Sequence, residues 1–155
     1  MPISRHGLVG AAAAAVALAG CGSSGGSGTD PESGSTAQVN AICRQAIASA
    51  SARELPTTET AIIQVQSKAA RTFGAAADRI ASLPLDAQQK EWLAQFREIA
   101  AANGEAARAA RQDGVESDAF LKAGRRYEEA AASANAAATS AGLDECRLGS
   151  VTNGG

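Results

Sequence analysis

From Gln38 onward, apolar residues recur every three or four positions, the period of a helix that buries one face, and breaker residues divide the pattern into four segments. The first runs from Thr36, whose hydroxyl suits an N-cap, to about Ala52, with Val39, Ile42, Cys43, Ala46, Ile47 and Ala50 as its stripe. Leu55-Pro56 ends it, because a residue before proline is pushed out of the helical region. The second begins after Thr57 or Thr58 and reaches about Leu83. Its apolar positions Ile62, Val65, Ala69, Phe73, Ala76, Ile80 and Leu83 advance by a mean of 3.5 residues, the seam spacing of a helix packed lengthwise on another.

Pro84 breaks the second segment, and Asp86 with Gln89 three residues later forms the capping box of the third. That helix carries the stripe Trp92, Phe96, Ile99, Asn103, Ala106 and Ala110 and closes at Asp113-Gly114. The fourth starts near Val115 to Ser117, follows the seam Phe120, Ala123, Tyr127, Ala130, Ala134, Ala137 and Ala141, and stops at Gly142. Short connections between long helices make neighbours antiparallel. The pattern therefore predicts an all-α fold, an up-down-up-down four-helix bundle over residues 38–148, with 149–155 as a disordered tail. One extended hairpin that dimerises into a bundle uses the same stripes and stays open as an alternative.

Ahead of the bundle the character changes twice. Residues 21–37 begin with a cysteine and continue as GSSGGSGTDPESGSTA, which has almost no apolar side chain to bury and reads as a tether with a reach of about 20 Å. No strand precedes this stretch and no Lys-Ser/Thr closes it, so it is not a phosphate cradle. Before it, Arg5 precedes an apolar run from Gly7 to Ala19 that is too short to span a bilayer comfortably. The run ends in Leu18-Ala19-Gly20-Cys21, which resembles the lipobox of bacterial lipoproteins.

This resemblance implies that residues 1–20 are a signal peptide cut before Cys21, that the Cys21 thiol carries a diacylglycerol, and that a further acyl chain joins the new N-terminus. Two acyl chains anchor stably where one would not, since each buried methylene contributes about 0.8 kcal/mol. The implied location is extracytoplasmic, lipid-anchored to the cell membrane. A membrane-spanning or core helix that ends in cysteine is the plainer alternative, and the Gly/Ser stretch argues against it.

Setting residues 1–20 aside changes the composition. The remaining 135 residues suit one domain, and 13 basic against 16 acidic side chains leave a charge near −3 with no basic block. Nucleic acid is therefore not an expected partner. With Cys21 lipidated, Cys43 in the first helix and Cys146 just after the fourth remain, and an up-down four-helix path returns the chain end to its start. Export into an oxidising compartment then predicts a Cys43–Cys146 disulfide. Two free thiols or a thiolate metal site are the alternatives.

Asn40-Ala41-Ile42-Cys43, Leu83-Pro84 and Gly142-Leu143-Asp144-Glu145-Cys146 are similar to segments of small secreted helical proteins and lipoproteins of actinobacteria, over roughly Val39 to Cys146. The resemblance implies a disulfide-clasped helical domain outside the cell and transfers no catalytic or binding residue.

The only histidine, His6, lies in the segment to be removed, as does the only methionine, Met1. A mature domain without imidazole has no Ser-His-Asp or Cys-His pair, no ordinary zinc hydrolase site and no Glu-x-x-His di-iron ligands. The expectation is no metal, no cofactor and no catalytic residue. Glu91, Glu98 and Glu105 recur every seven residues, but beside the Trp92-Phe96-Ile99 seam they fall on a solvated face, with Glu105 and Arg108 placed as an ordinary helical pair. Arg125-Arg126 followed by Glu128-Glu129 reads as surface pairing.

Asn103 sits at a seam position, where a buried amide more often fixes register than binds a ligand. Trp92 and Tyr127 have polar tips, and any pocket is expected around Trp92, Phe96, Asn103 and Tyr127. Two functions follow. The first is a non-enzymatic binding or scaffold module, held to the membrane by its lipid and engaging an unknown envelope protein, peptide or cell-wall partner. The alternative is an enzyme using an Asp/Glu acid–base pair on an envelope substrate, which requires two carboxylates converging on a concave site.

Overall fold

The computed structural model describes residues 31–51 and 55–149. The signal segment, Cys21, most of the tether and nearly all of the tail lie outside the described residues. The chain forms four α-helices, α1 (Pro31–Ala50), α2 (Glu59–Ala81), α3 (Ala87–Asp113) and α4 (Asp118–Ser140), and a terminal 3-10 turn over Asp144–Cys146. Among the described residues there is no strand. The fold is an all-α four-helix bundle.

The helix boundaries follow local chemistry at most ends. The Thr58 hydroxyl accepts from the Ala61 N–H at 3.2 Å, and Ser117 does the same for Phe120 at 3.2 Å. The capping box of α3 is complete: Asp86 Oδ1 accepts from the Gln89 N–H at 2.7 Å, and Gln89 Oε1 accepts from the Asp86 N–H at 3.2 Å. Each such cap contributes about 1 kcal/mol. Gly114 and Gly142 take φ of 87° and 65°, which side chains disfavour, and the chain leaves α3 and α4 there.

The start of α1 corrects the sequence reading. Thr36 is not an N-cap but an interior residue, and the helix begins at Pro31, inside the stretch read as tether. Ser35 is buried, and Ser35 and Thr36 reach the fully buried Gln89 at the start of α3. Gln89 Nε2 donates to Thr36 Oγ1 at 2.9 Å, and Ser35 Oγ donates to Gln89 Oε1 at 3.4 Å. These hydrogen bonds to Gln89 outweigh the weak helix preference of a Gly/Ser sequence. At the other end α1 stops at Ala50, two residues short of the expected Ala52.

Helix α3 lies between α2 and α4 and has the broadest buried face, adding Leu93, Ala102, Ala107 and Ala109 to the expected stripe. Helix α1 takes the fourth corner. It packs on α2 and on the terminal turn, and the turn also packs on α4, whereas α1 and α4 make no close backbone approach among the described residues. Leu143, Cys146 and Leu148 fill the gap between these two helices and are all buried.

Three side-chain amides and one disulfide hold this corner. Asn40 Nδ2 donates to the Gly142 carbonyl at 3.4 Å while its Oδ1 accepts from the Glu145 N–H at 3.1 Å. Asn135 pairs with both backbone groups of Leu148, at 2.9 and 2.8 Å, as a strand partner would. Gln89 ties the second turn of α1 to the first turn of α3. Cys43 and Cys146 form the expected disulfide, with Cα atoms 4.9 Å apart and both residues fully buried. A crosslink closing a loop of this length contributes about 4 to 5 kcal/mol in the chain-entropy account.

The corner helix is short. From Ser35, beside Gln89, to Ala50 it covers about 23 Å, whereas α3 continues from Gln89 to Asp113 for about 36 Å. One half of the bundle therefore has four helices and the other has three. In the four-helix half, Trp92, Phe96, Ile80, Ile99, Val39 and Leu143 are fully buried. Trp92 stacks on Phe96 with ring centroids 5.0 Å apart, and Phe73 meets Phe96 edge-on at 5.5 Å. In the three-helix half the buried residues are Ala102, Ala106, Ala107, Ala109, Ala110 and Ala123, while Ile62, Ile63 and Phe120 are only half-buried.

Candidate functional site

Where α1 ends, the valley between α2 and α4 opens as a cleft of about 380 Å³. Its floor is Asn103 of α3, its α2 wall is Val65, Ala69 and Phe73, its α4 wall is Tyr127, and Ile47 and Ala50 of α1 close one end with Leu148. The cleft exists because Leu55-Pro56 follows so soon after α1, and because Asn135 pins Leu148 between α1 and α4.

The four residues expected around a pocket divide into two pairs. Asn103 and Tyr127 line the cleft. Trp92 and Phe96 do not: both are fully buried in the aromatic core, and Phe73 stands between that core and the cleft. Sequence reasoning treated Ile47, Val65, Ala69 and Phe73 as plain seam residues and gave Leu148 no role. The available signal was length, since the first helical segment is much shorter than the other three.

Asn103 is 5% exposed. Its Nδ2 donates to the Ile99 carbonyl one turn earlier at 2.8 Å, and its Oδ1 accepts nothing among the described residues. The Tyr127 hydroxyl likewise has no partner among them. Neither atom is sealed from solvent, because the only sealed side-chain polar atom without a partner among the described residues is Trp92 Nε1. The Asn103 oxygen therefore opens onto the cleft it lines. Burial pushes the Tyr127 phenol above its ordinary value near 10, since the charged form would lose water. No charged side chain lines the cleft.

The carboxylates lie elsewhere. No Asp or Glu among the described residues is buried. Glu98 and Glu105 of the seven-residue series both bind Arg126 of α4, so Glu105 pairs across helices and not with Arg108 on its own helix. The hydrogen bonds from Arg126 to Glu98 and then Glu105 hold its guanidinium above the ordinary range. This cluster sits on the outer α3–α4 surface, where such pairs contribute little. Among the described residues no group of three or more His, Cys, Asp or Glu gathers as a metal site, and no helix is long and apolar enough to cross a membrane.

Fold and site together define a disulfide-clasped, all-α four-helix bundle with a neutral cleft at the end of its short corner helix. Comparison of the chain with protein-family models, with curated proteins and with solved structures finds no match.

Proposed function

We propose that the protein is a membrane-anchored extracytoplasmic lipoprotein whose helical domain is a non-enzymatic binding or scaffold module. The observation that carries the reading is the pairing of Cys43 with Cys146, which leaves Cys21, in its Leu18-Ala19-Gly20-Cys21 setting, as the one cysteine of the sequence not used by that bond. A disulfide of this kind is at home in an exported domain and rare in a reducing one. The binding role is supported by the cleft, whose polar side chains, Asn103, Tyr127, Gln66 and Ser51, are all uncharged. The two carboxylates that converge do so on an arginine.

Membrane fractionation of cells expressing the wild type and Cys21→Ser tests the anchor. The wild type is expected in the membrane fraction and the variant in the soluble exported fraction. Mass spectrometry of the wild type should find a chain beginning at Cys21 with a diacylglycerol on its thiol. A variant that stays with membrane as an integral protein, or an uncleaved and unmodified wild-type front end, would contradict the reading.

A further inference from the structure

The cleft beneath the end of α1 combines features that restrict what it can hold. Its walls are mainly aliphatic and aromatic, from Ile47, Val65, Ala69, Phe73 and Leu148, with uncharged Gln66 and Ser51 among them. Its floor presents one amide oxygen, Asn103 Oδ1, from a residue that is 95% buried and whose other polar atom is already engaged by Ile99. An amide carbonyl is an acceptor only, so what it lacks is a donor. No cation lines the cleft to neutralise a carboxylate or phosphate, and no anion lines it to neutralise an amine. A charge placed there would lose its water without gaining a counter-ion, whereas apolar surface would gain from leaving water. The volume equals that of about a dozen waters at ~30 Å³ each, which sets the scale of the occupant.

We propose that this cleft binds a neutral, mainly apolar small molecule that donates one N–H or O–H hydrogen bond to Asn103 Oδ1. Tyr127 also lines the cleft, able to donate or accept, and Gln66 and the exposed Ser51 are its remaining polar side chains. The assignment rests on the binding-module reading but not on the anchor, because every residue lining the cleft falls between Ile47 and Gly149.

The test uses the full-length chain and three related probes. N-phenyl-1-naphthylamine is neutral and carries one N–H, its 8-sulfonate adds a negative charge, and 1-benzylnaphthalene replaces the N–H by a methylene. Every form of the protein keeps residues 1–30, so differences between forms report the cleft and not the apolar front segment. The amine is expected to bind saturably at one site, with the sulfonate at least about tenfold weaker because its charge is unpaired there. Displacement by 1-benzylnaphthalene should be roughly 3- to 10-fold weaker than by the amine in the wild type, the worth of one hydrogen bond. In Asn103→Leu that preference should vanish.

Amide chemical-shift mapping on the wild type keeps the test independent of whether Asn103→Leu folds. Shifts on adding the amine should concentrate at Val65, Ala69, Asn103 and Tyr127. Equal affinity for amine and sulfonate, an unchanged preference in a folded Asn103→Leu, or shifts centred away from the cleft would each overturn the assignment. Any of those results would leave the anchor to the fractionation of Cys21→Ser.

Discussion

The two halves of this bundle are built from different materials. Where α1 covers the valley, large side chains meet: Trp92, Phe96, Ile80 and Ile99 are fully buried, and the terminal turn adds Leu143 and Cys146. Beyond Ala50 the buried face of α3 becomes Ala102, Ala106, Ala109 and Ala110, and the larger residues Ile62, Ile63 and Phe120 keep part of their surface in water. Alanine lets helices approach closely but buries little area per residue, so the three-helix half gains less from the hydrophobic effect. Stability is concentrated in one half, and the neutral cleft sits at the boundary. Binding surfaces are drawn from the less stable parts of a fold because only there is surface left uncovered.

This contrast can be broken most directly at the disulfide. Replacing both Cys43 and Cys146 with alanine should cost about 4 kcal/mol and lower the melting temperature by roughly 15 °C. A shift of only a few degrees would mean that the terminal turn holds α1 without the crosslink. Next in size is a pair of substitutions in α3. Phe96→Ala should cost about 3 to 5 kcal/mol, because its site in the aromatic core cannot collapse fully. Ala106→Gly in the other half should cost only about 1 kcal/mol, the helix-propensity difference. Equal losses in urea unfolding would erase the distinction between the halves.

Smaller still is the effect of Trp92→Phe. The indole Nε1 is sealed without a partner among the described residues, and leaving such a donor unsatisfied costs about 1 to 3 kcal/mol. Removing it offsets much of the lost ring volume, so the net change should stay within about 1 kcal/mol. A loss above 3 kcal/mol would show that the N–H is satisfied.

The smallest effect is a titration. Tyr127 is the only tyrosine, so alkaline absorbance reads one phenol. Its folded pKa is raised by burial, hence the native state holds the proton more tightly than the unfolded chain. Stability should be unaffected below pH 10 and should fall as pH rises from the unfolded value through the raised folded one. A midpoint at or below 10 would place the ring in open solvent.

How much of this was legible in the sequence differs by element. The capping box at Asp86, the starts of α2 after Thr57 or Thr58 and of α4 near Val115 to Ser117, the breaks at Pro84 and Gly142, and the cysteine pairing are local or topological signals, and the structure bears them out. The roles of Asn40, Gln89 and Asn135 were not visible, because each amide bonds to backbone or hydroxyl groups that only the folded chain brings near. Gln89 shows the difference within one residue: its capping bond spans three positions and was read, while its bond to Thr36 spans 53 and was not. That second bond is also why the helical start at Pro31 escaped a composition argument.

The late seam of α4 widens from the expected Ala130, Ala134, Ala137 and Ala141 to include Ala138, which is more deeply buried than Ala137, as expected for a straight helix drifting from a seven-residue repeat. Half of the expected pocket was legible, since Asn103 and Tyr127 are polar tips at seam positions. Trp92 shares that appearance and Phe96 follows it one turn on, but both are fully buried in the aromatic core.

Hydrogen exchange followed by mass spectrometry, on the disulfide-bonded and the reduced chain, tests the division of the molecule most directly. With the bond intact, amides of α1 from Val39 to Ala46 and of α3 from Leu93 to Ile99 should exchange slowly, and those near the start of α2 and the end of α3 faster. On reduction α1 should lose most of its protection while α2, α3 and α4 keep most of theirs. Uniform loss along all four helices, or protection of α1 unchanged by reduction, would contradict a short corner helix clasped by one crosslink onto a three-helix platform.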